Sequence, residues 1–168
     1  MVKIRPATRS DATAMLLVRR EAVLSKAAAH YAQATLRAWA AEATPHRVAR
    51  LERQIADPDF VVLVAEAGDE IIGYAMATPS KNELRAVYVK PNPIGHVGRS
   101  LLAEVESWAF DAGTEFLACS ASLNAEAFYR VNGYTEESRG QHRMRTGHLM
   151  DCVFMRKKLE PPAPRRLA

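Results

Sequence analysis

"YVKPNPIGHVGRSLL", residues 88–102, joins a strand-like apolar run to an apolar helical pattern through a turn that holds Gly95 and Gly98. Strand, glycine turn and helix start is the order of elements that aims backbone N–H groups at an anion. The amides from about His96 through Val97, Gly98 and Arg99 to Ser100 would be the first unpaired donors of that helix. Glycine at 95 and 98 lets the chain come close to a ligand. The turn also contains Pro91 and Pro93, which donate no N–H, and its glycine spacing fits neither the dinucleotide nor the nucleoside-triphosphate loop. Alone, the stretch is equally a loop that needs glycine.

The flanking sequence supplies the rest of a domain. "KIRPAT" reads as a strand and "RSDATAMLLVRREAVL" as a helix capped by Ser10 or Asp11. "AQATLRAWAAEA" and "HRVARLERQIA" add helical stretches. The period then changes: "FVVLVAEAGDEIIGYAMATP" is a hairpin about Gly68-Asp69, and "ELRAVYV" (83–89) is a central strand. "GRSLLAEVESWAFDAG" places Leu101, Leu102, Val105, Trp108 and Ala109 on one helical stripe, with Gly113 as its stop. "EFLACSAS" is a strand, "NAEAFYRVNG" a short helix with Asn124 as N-cap, and "MDCVFMRKKL" the closing strand. This order indicates the α/β class, a single mixed α+β domain.

A chain of 168 residues suits one such domain, here 1–159, with the proline-rich segment 160–168 as a tail. No apolar run reaches the roughly 18–20 residues that span a bilayer. The N-terminus lacks the apolar core of a signal peptide, so the expected location is cytoplasmic. Cys119 and Cys152 lie far apart without metal-ligand spacing and read as buried reduced thiols, so no metal is expected. The net charge of +4 admits an anionic ligand, but the basic residues are scattered, which argues against nucleic acid as a partner.

A second stretch, "SASLNAEAFYRVNGY" (120–134), carries a more specific pattern. Phe128 and Tyr129 fall on adjacent helix faces, so one packs inward while the other looks along the sheet edge. Core packing of both aromatics explains the same residues. The two stretches in order, Val89 to Pro91, glycine turn and "GRSLL", then Asn124, Ala127, Phe128, Tyr129, Gly133 and Tyr134, resemble the GNAT superfamily of N-acetyltransferases. The resemblance covers most of the chain, from "IRPATRSDA" to "CVFMRKKL".

It implies a twisted sheet of about six or seven strands flanked by about four helices, with two parallel strands splayed around acetyl-CoA. These strands would be "ELRAVYV" and "EFLACSAS". The pantetheine arm would follow Val87, Tyr88 and Val89, beside a strand bulge, and the pyrophosphate would sit on Gly95 to Ser100. Asn124 and Phe128 would lie near the pantetheine, and Tyr129 would protonate the departing thiolate. The sequence departs from the family at the turn. Where members carry a bracing arginine or glutamine, this chain has Pro93 or Ile94, depending on which glycine is aligned.

For the base that takes the amine proton, the best candidate is Glu83, although a solvated carboxylate explains it equally. Neither cysteine has a flanking base, so direct transfer in a ternary complex is expected. The acceptor, a primary amine of a small molecule, amino-acid derivative or peptide, would meet Tyr31, Trp39 and His142. Arg139, Arg143 and Arg145 could attract a carboxylate on it. The last strand could pair with a second copy to form a homodimer. Two alternatives are a non-catalytic acyl-CoA-binding domain, suggested by the missing brace, and a basic adaptor for nucleic acid.

Overall fold

The two apolar runs about Gly68 pair as a hairpin, and the rest of the sheet assembles beside them. In the computed structural model, which describes residues 1–92 and 95–161, the elements run β1 (Val2–Pro6), α1 (Ala12–Lys26), α2 (Gln33–Trp39), α3 (Pro45–Ala56), β2 (Val61–Ala67) and β3 (Glu70–Thr78). They continue with β4 (Glu83–Val89), α4 (Val97–Asp111), β5 (Phe116–Ser122), α5 (Glu126–Val131), β6 (Thr135–Arg143) and β7 (Leu149–Lys158). Gly68 turns the hairpin at φ 62°, a backbone region that glycine enters without steric cost. The seven strands lie in the order β1-β2-β3-β4-β5-β7-β6, and only β4 and β5 pair in parallel.

Helices cover both faces. The stripe of α4 places Leu101, Leu102 and Val105 against Leu63, Leu84, Leu117 and Val153, all buried. On the opposite face α1 and α3 set Met15, Val18 and Leu51 against Val64, Tyr74 and Met76. A smaller cluster joins the end of α1 to α2 and β7 through Val23, Leu36, Trp39 and Met150.

Several sequence expectations change. Asp11 stands at the N-cap of α1, but its side chain makes no capping bond to that helix. Its carboxylate turns back to Thr8 N at 2.7 Å and takes a two-pronged contact from Arg5, at 2.8 and 3.0 Å. These charge-assisted bonds are stronger than a single N-cap bond. The second helix is shorter than its alanine-rich sequence suggests, because Arg20 donates to the Ala40 carbonyl at 2.8 Å and closes its C-terminus. Trp108 leaves the apolar stripe: it is 40% exposed and donates to Glu104 one turn earlier. The buried stripe is centred between Leu101 and Leu102, and position 108 falls at its margin.

The polar stretch 135–143 is a strand at the sheet edge, so its two faces show no apolar alternation. That places β7 between β5 and β6, where it has no free edge for a second copy. Cys119 and Cys152 are buried and unpaired with each other, and burial pushes the Cys119 thiol up to about 12. Of the expected tail 160–168, residues 162–168 lie outside the described residues.

Candidate active site

Strands β4 and β5 begin together and then part. Their one register pair is Glu83 with Ala118, supported by Ala118 N to Asn82 O at 2.8 Å. Along β4 the register with β3 shifts between Met76 and Ala77, which leaves Arg85 as an extra residue on β4. Such a bulge bends the strand and increases its twist. Beyond it, Lys90 N bonds to Ile72 O on β3. Backbone groups alternate between the two edges of a strand, so those of Val87 and Val89 face the gap. The gap opens into a cleft of about 540 Å³.

The end of β4 and the start of α4 form one wall of this cleft. Val87, Tyr88 and Val89 line it, followed by Gly95, His96, Val97, Gly98 and Arg99. Gly95 has φ 70°, and His96 is the N-cap without a side-chain capping bond, so the first amides of α4 stay open. Ser100 is a correction: its N–H bonds to His96 O at 3.0 Å, so it belongs to the helix ladder and does not line the cleft. A Cβ at 98 would meet the Phe128 ring and Val89 at an ordinary contact distance of 3.5 Å, so Gly98 packs directly beside both cleft residues. Pro93 and Ile94, where the bracing side chain is missing, lie outside the described residues.

The opposite wall comes from the segment after β5. Ala125, not Asn124, is the N-cap of α5. Asn124 lines the cleft, and its Oδ1 is buried without a hydrogen-bond partner. Phe128 also lines it. Tyr129 packs edge-on between Phe128 and Tyr134, with ring centroids 5.2 and 5.3 Å away. It belongs to the core under α4, so its ring is not a cleft wall. Burial first, then Cys119 on β5 and Tyr88 on β4, push its hydroxyl well above the usual tyrosine range.

Sequence reasoning missed Lys26. It closes α1, lines the cleft, and donates to the Val89 carbonyl at 3.2 Å. Desolvation lowers its pKa. Its position as the last residue of a helix gave no signal, because a basic residue there is ordinary.

On the far side of the sheet the expected acceptor residues are only partly gathered. Trp39 lines the cleft and donates from Nε1 to the Tyr88 hydroxyl at 2.8 Å. Tyr31 packs against Trp39 at 5.7 Å, but its hydroxyl is committed: it donates to Asp151 O and accepts from Leu123 N, both at 2.7 Å. That hydroxyl ties β5 to β7 and is not free for a ligand. His142 stands exposed on β6, whereas His148 contacts Thr35 Oγ1 at 2.9 Å. Glu83 is half-buried and accepts from Arg85 at 3.1 Å. Arg139 is engaged with Glu126 and Glu136 on the surface, which removes it from the acceptor side. Among the described residues no cluster of three His, Cys, Asp or Glu side chains could hold a metal ion, and no helix is long and apolar enough to cross a membrane.

Comparison with known proteins agrees with this geometry. The model of the acetyltransferase (GNAT) domain matches residues 27–159. Aminoglycoside N(6')-acetyltransferase type 1 of Stenotrophomonas maltophilia is 32% identical over 152 residues, covering 81% of this chain and 90% of that one. A GCN5-related N-acetyltransferase from Rhodopseudomonas palustris superposes with a TM-score of 0.82 at 23% identity, over 94% of this chain and 95% of that chain. The acetyltransferase YncA of Salmonella typhimurium, solved with its cofactor acetyl-CoA, has a TM-score of 0.68 at 25% identity over 99% of both chains. Splayed parallel strands, an open helix start and the matched domain lead to one assignment: the chain belongs to the GNAT superfamily and is an acetyl-CoA-dependent N-acetyltransferase.

Proposed function

We propose that the protein transfers the acetyl group of acetyl-CoA to the primary amine of a small molecule, an amino-acid derivative or a peptide, by direct attack in a ternary complex. The observation that carries this reading is the single register pair between β4 and β5, beyond which one strand edge faces a cleft. The residues around that cleft fit acetyl-CoA. Val87 and Val89 offer backbone donors and acceptors to the pantetheine amides, and the buried Asn124 Oδ1 is an acceptor in want of a donor. The amides of Val97 to Arg99, reinforced by the helix dipole, suit the pyrophosphate. Lys26 bonds to the Val89 carbonyl; a pantetheine N–H at that carbonyl would release its ammonium toward the phosphates.

Bound acetyl-CoA supplies an activated acyl group. The chain's own residues then manage two protons. The amine must lose one before its nitrogen can attack, and we assign its acceptance, directly or through water, to Glu83 at the start of β4. The thiolate gains one from Tyr129, whose raised pKa keeps the hydroxyl protonated at neutral pH. Trp39 holds the Tyr88 hydroxyl and thereby fixes the wall between cleft and acceptor. The test is thiol release across a panel of amines, alongside thermal shift with acetyl-CoA. A rise in Tm together with amine-dependent CoA release is expected. A rise in Tm without release for any amine would leave an acyl-CoA binder, and stabilisation by an oligonucleotide alone would discard both readings.

A further inference from the structure

The sheet face opposite α4 carries an arginine cluster that acetyl-CoA binding does not use. Arg19 of α1 lies over the Tyr88 ring, 5.8 Å from guanidinium carbon to centroid, and its Nε is buried without a hydrogen-bond partner. Arg85, the bulge residue of β4, covers the Phe60 ring at 5.4 Å and makes the cluster's one carboxylate contact, to Glu83. Arg47 and Arg50 come from α3. Arg145 comes from the turn between β6 and β7, which the Thr35–His148 contact pins to α2. Burial, then the charges of Arg145, Arg19, Arg85 and Arg47, lower the pKa of Arg50, so these groups share one electrostatic neighbourhood.

Among the described residues, Arg19, Arg47, Arg50 and Arg145 have no ion-pair partner. Arg5, Arg130, Arg139 and Arg156, by contrast, each hold a carboxylate. Five like charges facing one carboxylate work against the fold, since they repel one another and raise the energy of the empty site. Such a concentration is favourable when an anion occupies it. Its location says whose anion. The cluster adjoins Tyr88, which also lines the cleft, and runs back along β4 to Arg85 on the face opposite α4, whereas the phosphate-facing turn follows the strand and opens α4.

Resting on the acetyl-transfer reading above, we propose that the acceptor is an amine that also carries a carboxylate or phosphate, held by Arg19, Arg50 and Arg145 while the amine reaches past Tyr88 to the cleft. A polycation such as an aminoglycoside is repelled by the same charges. The chain therefore differs in acceptor class from its Stenotrophomonas maltophilia relative.

The test compares matched acceptors by thiol release: phenylalanine, its decarboxylated counterpart phenethylamine, phosphoethanolamine, ethanolamine and kanamycin. Each anionic amine should exceed its uncharged counterpart in kcat/KM by about tenfold or more, and the advantage should shrink as salt is added. Arg50→Gln and Arg145→Gln should each raise KM for the anionic amine by about three- to tenfold, with kcat and the KM for acetyl-CoA little changed. A measurement without turnover checks the same cluster. With saturating CoA occupying the turn, inorganic phosphate should raise Tm in the unmodified protein and less in either variant. The proposal is overturned by equal or better use of phenethylamine, ethanolamine or kanamycin, by variants that leave the preference intact, or by CoA-loaded protein indifferent to phosphate. Thiol release without anionic preference breaks this inference alone; no acetyl-CoA-dependent shift and no release from any amine breaks the reading beneath it, and this inference with it.

Discussion

Strand β5 has two edges with opposite fates. Toward β7 it is paired along its whole length, from Phe116 with Lys158 to Ser122 with Cys152. Toward β4 it makes one pair and then lets go. A sheet cut this way would fall into two halves if backbone bonds were its only glue. The halves are instead joined by side chains: Leu84 and Val89 of β4, Leu117 and Ala121 of β5, and Val153 of β7 share one core under α4. Apolar burial is non-directional and tolerates a gap between backbones, whereas ladder hydrogen bonds do not. The fold can therefore expose an unpaired strand edge to a ligand without losing cohesion.

Removing that side-chain glue should have the largest effect. Leu117 is fully buried, and Leu117→Ala should cost about 3 kcal/mol of stability, within the roughly 2–5 kcal/mol range for such truncations. Val87→Ala, at the open edge where the side chain is only half-buried, should cost less than about 1 kcal/mol. Urea denaturation of the two variants checks this. Equal losses would mean that the gap is no weaker than the sealed edge. Tyr129→Phe tests the chemistry at the gap. It should lower kcat by ~10²-fold, the usual size for losing a general acid, while leaving the melting temperature nearly unchanged. A kcat within a few-fold of the original would show that another group protonates the thiolate.

Much of this contrast is legible in the sequence. The sealed half announces itself by period, because buried strands and the α4 stripe need apolar residues at fixed spacing. The open half is legible only through glycines and motif order, since a gap leaves no periodic trace. The acceptor side was the least readable. Tyr31 looks like a pocket aromatic and is a tie between strands, while Arg19, Arg47 and Arg50 sit on helix surfaces where arginine is commonplace. Their meaning depends on which charges lie nearby, and only the tertiary fold brings them together. Asn124 shows the same limit in reverse: its sequence position suggests a helix cap, yet its Oδ1 is left unpaired at the cleft.

A smaller effect belongs to the far edge of the sheet, where Arg5 grips Asp11. The ion pair and the Thr8 bonds hold the Asp11 carboxyl down at about 2, against an ordinary value of 3.8. A carboxyl depressed in the folded state contributes stability above its unfolded pKa and loses it as pH falls toward the folded one. The contribution, about 2 kcal/mol, should be present at neutral pH and disappear between about pH 4 and pH 2. Asp11→Asn should remove that part of the acid unfolding curve without altering the KM for acetyl-CoA, because the pair is remote from the gap.

At the gap itself, Lys26 supplies a hydrogen bond to the open edge of β4 beyond the bulge, from its Nζ to the Val89 carbonyl. If that ammonium serves the phosphates when acetyl-CoA binds, it compensates for a turn in which neither Pro93 nor Ile94 carries a donor in its side chain. Lys26→Met keeps most of the apolar stem and removes the charge, so it should raise the KM for acetyl-CoA by about three- to tenfold with kcat retained. Desolvation lowers the pKa of Lys26, so it loses its charge at a lower pH than an exposed lysine. Acetyl-CoA affinity should accordingly weaken on the alkaline side in the unmodified protein, and this dependence should vanish in the variant. If the profile survives in Lys26→Met, the ammonium only fills the edge, and the amides of α4 grip the phosphates alone.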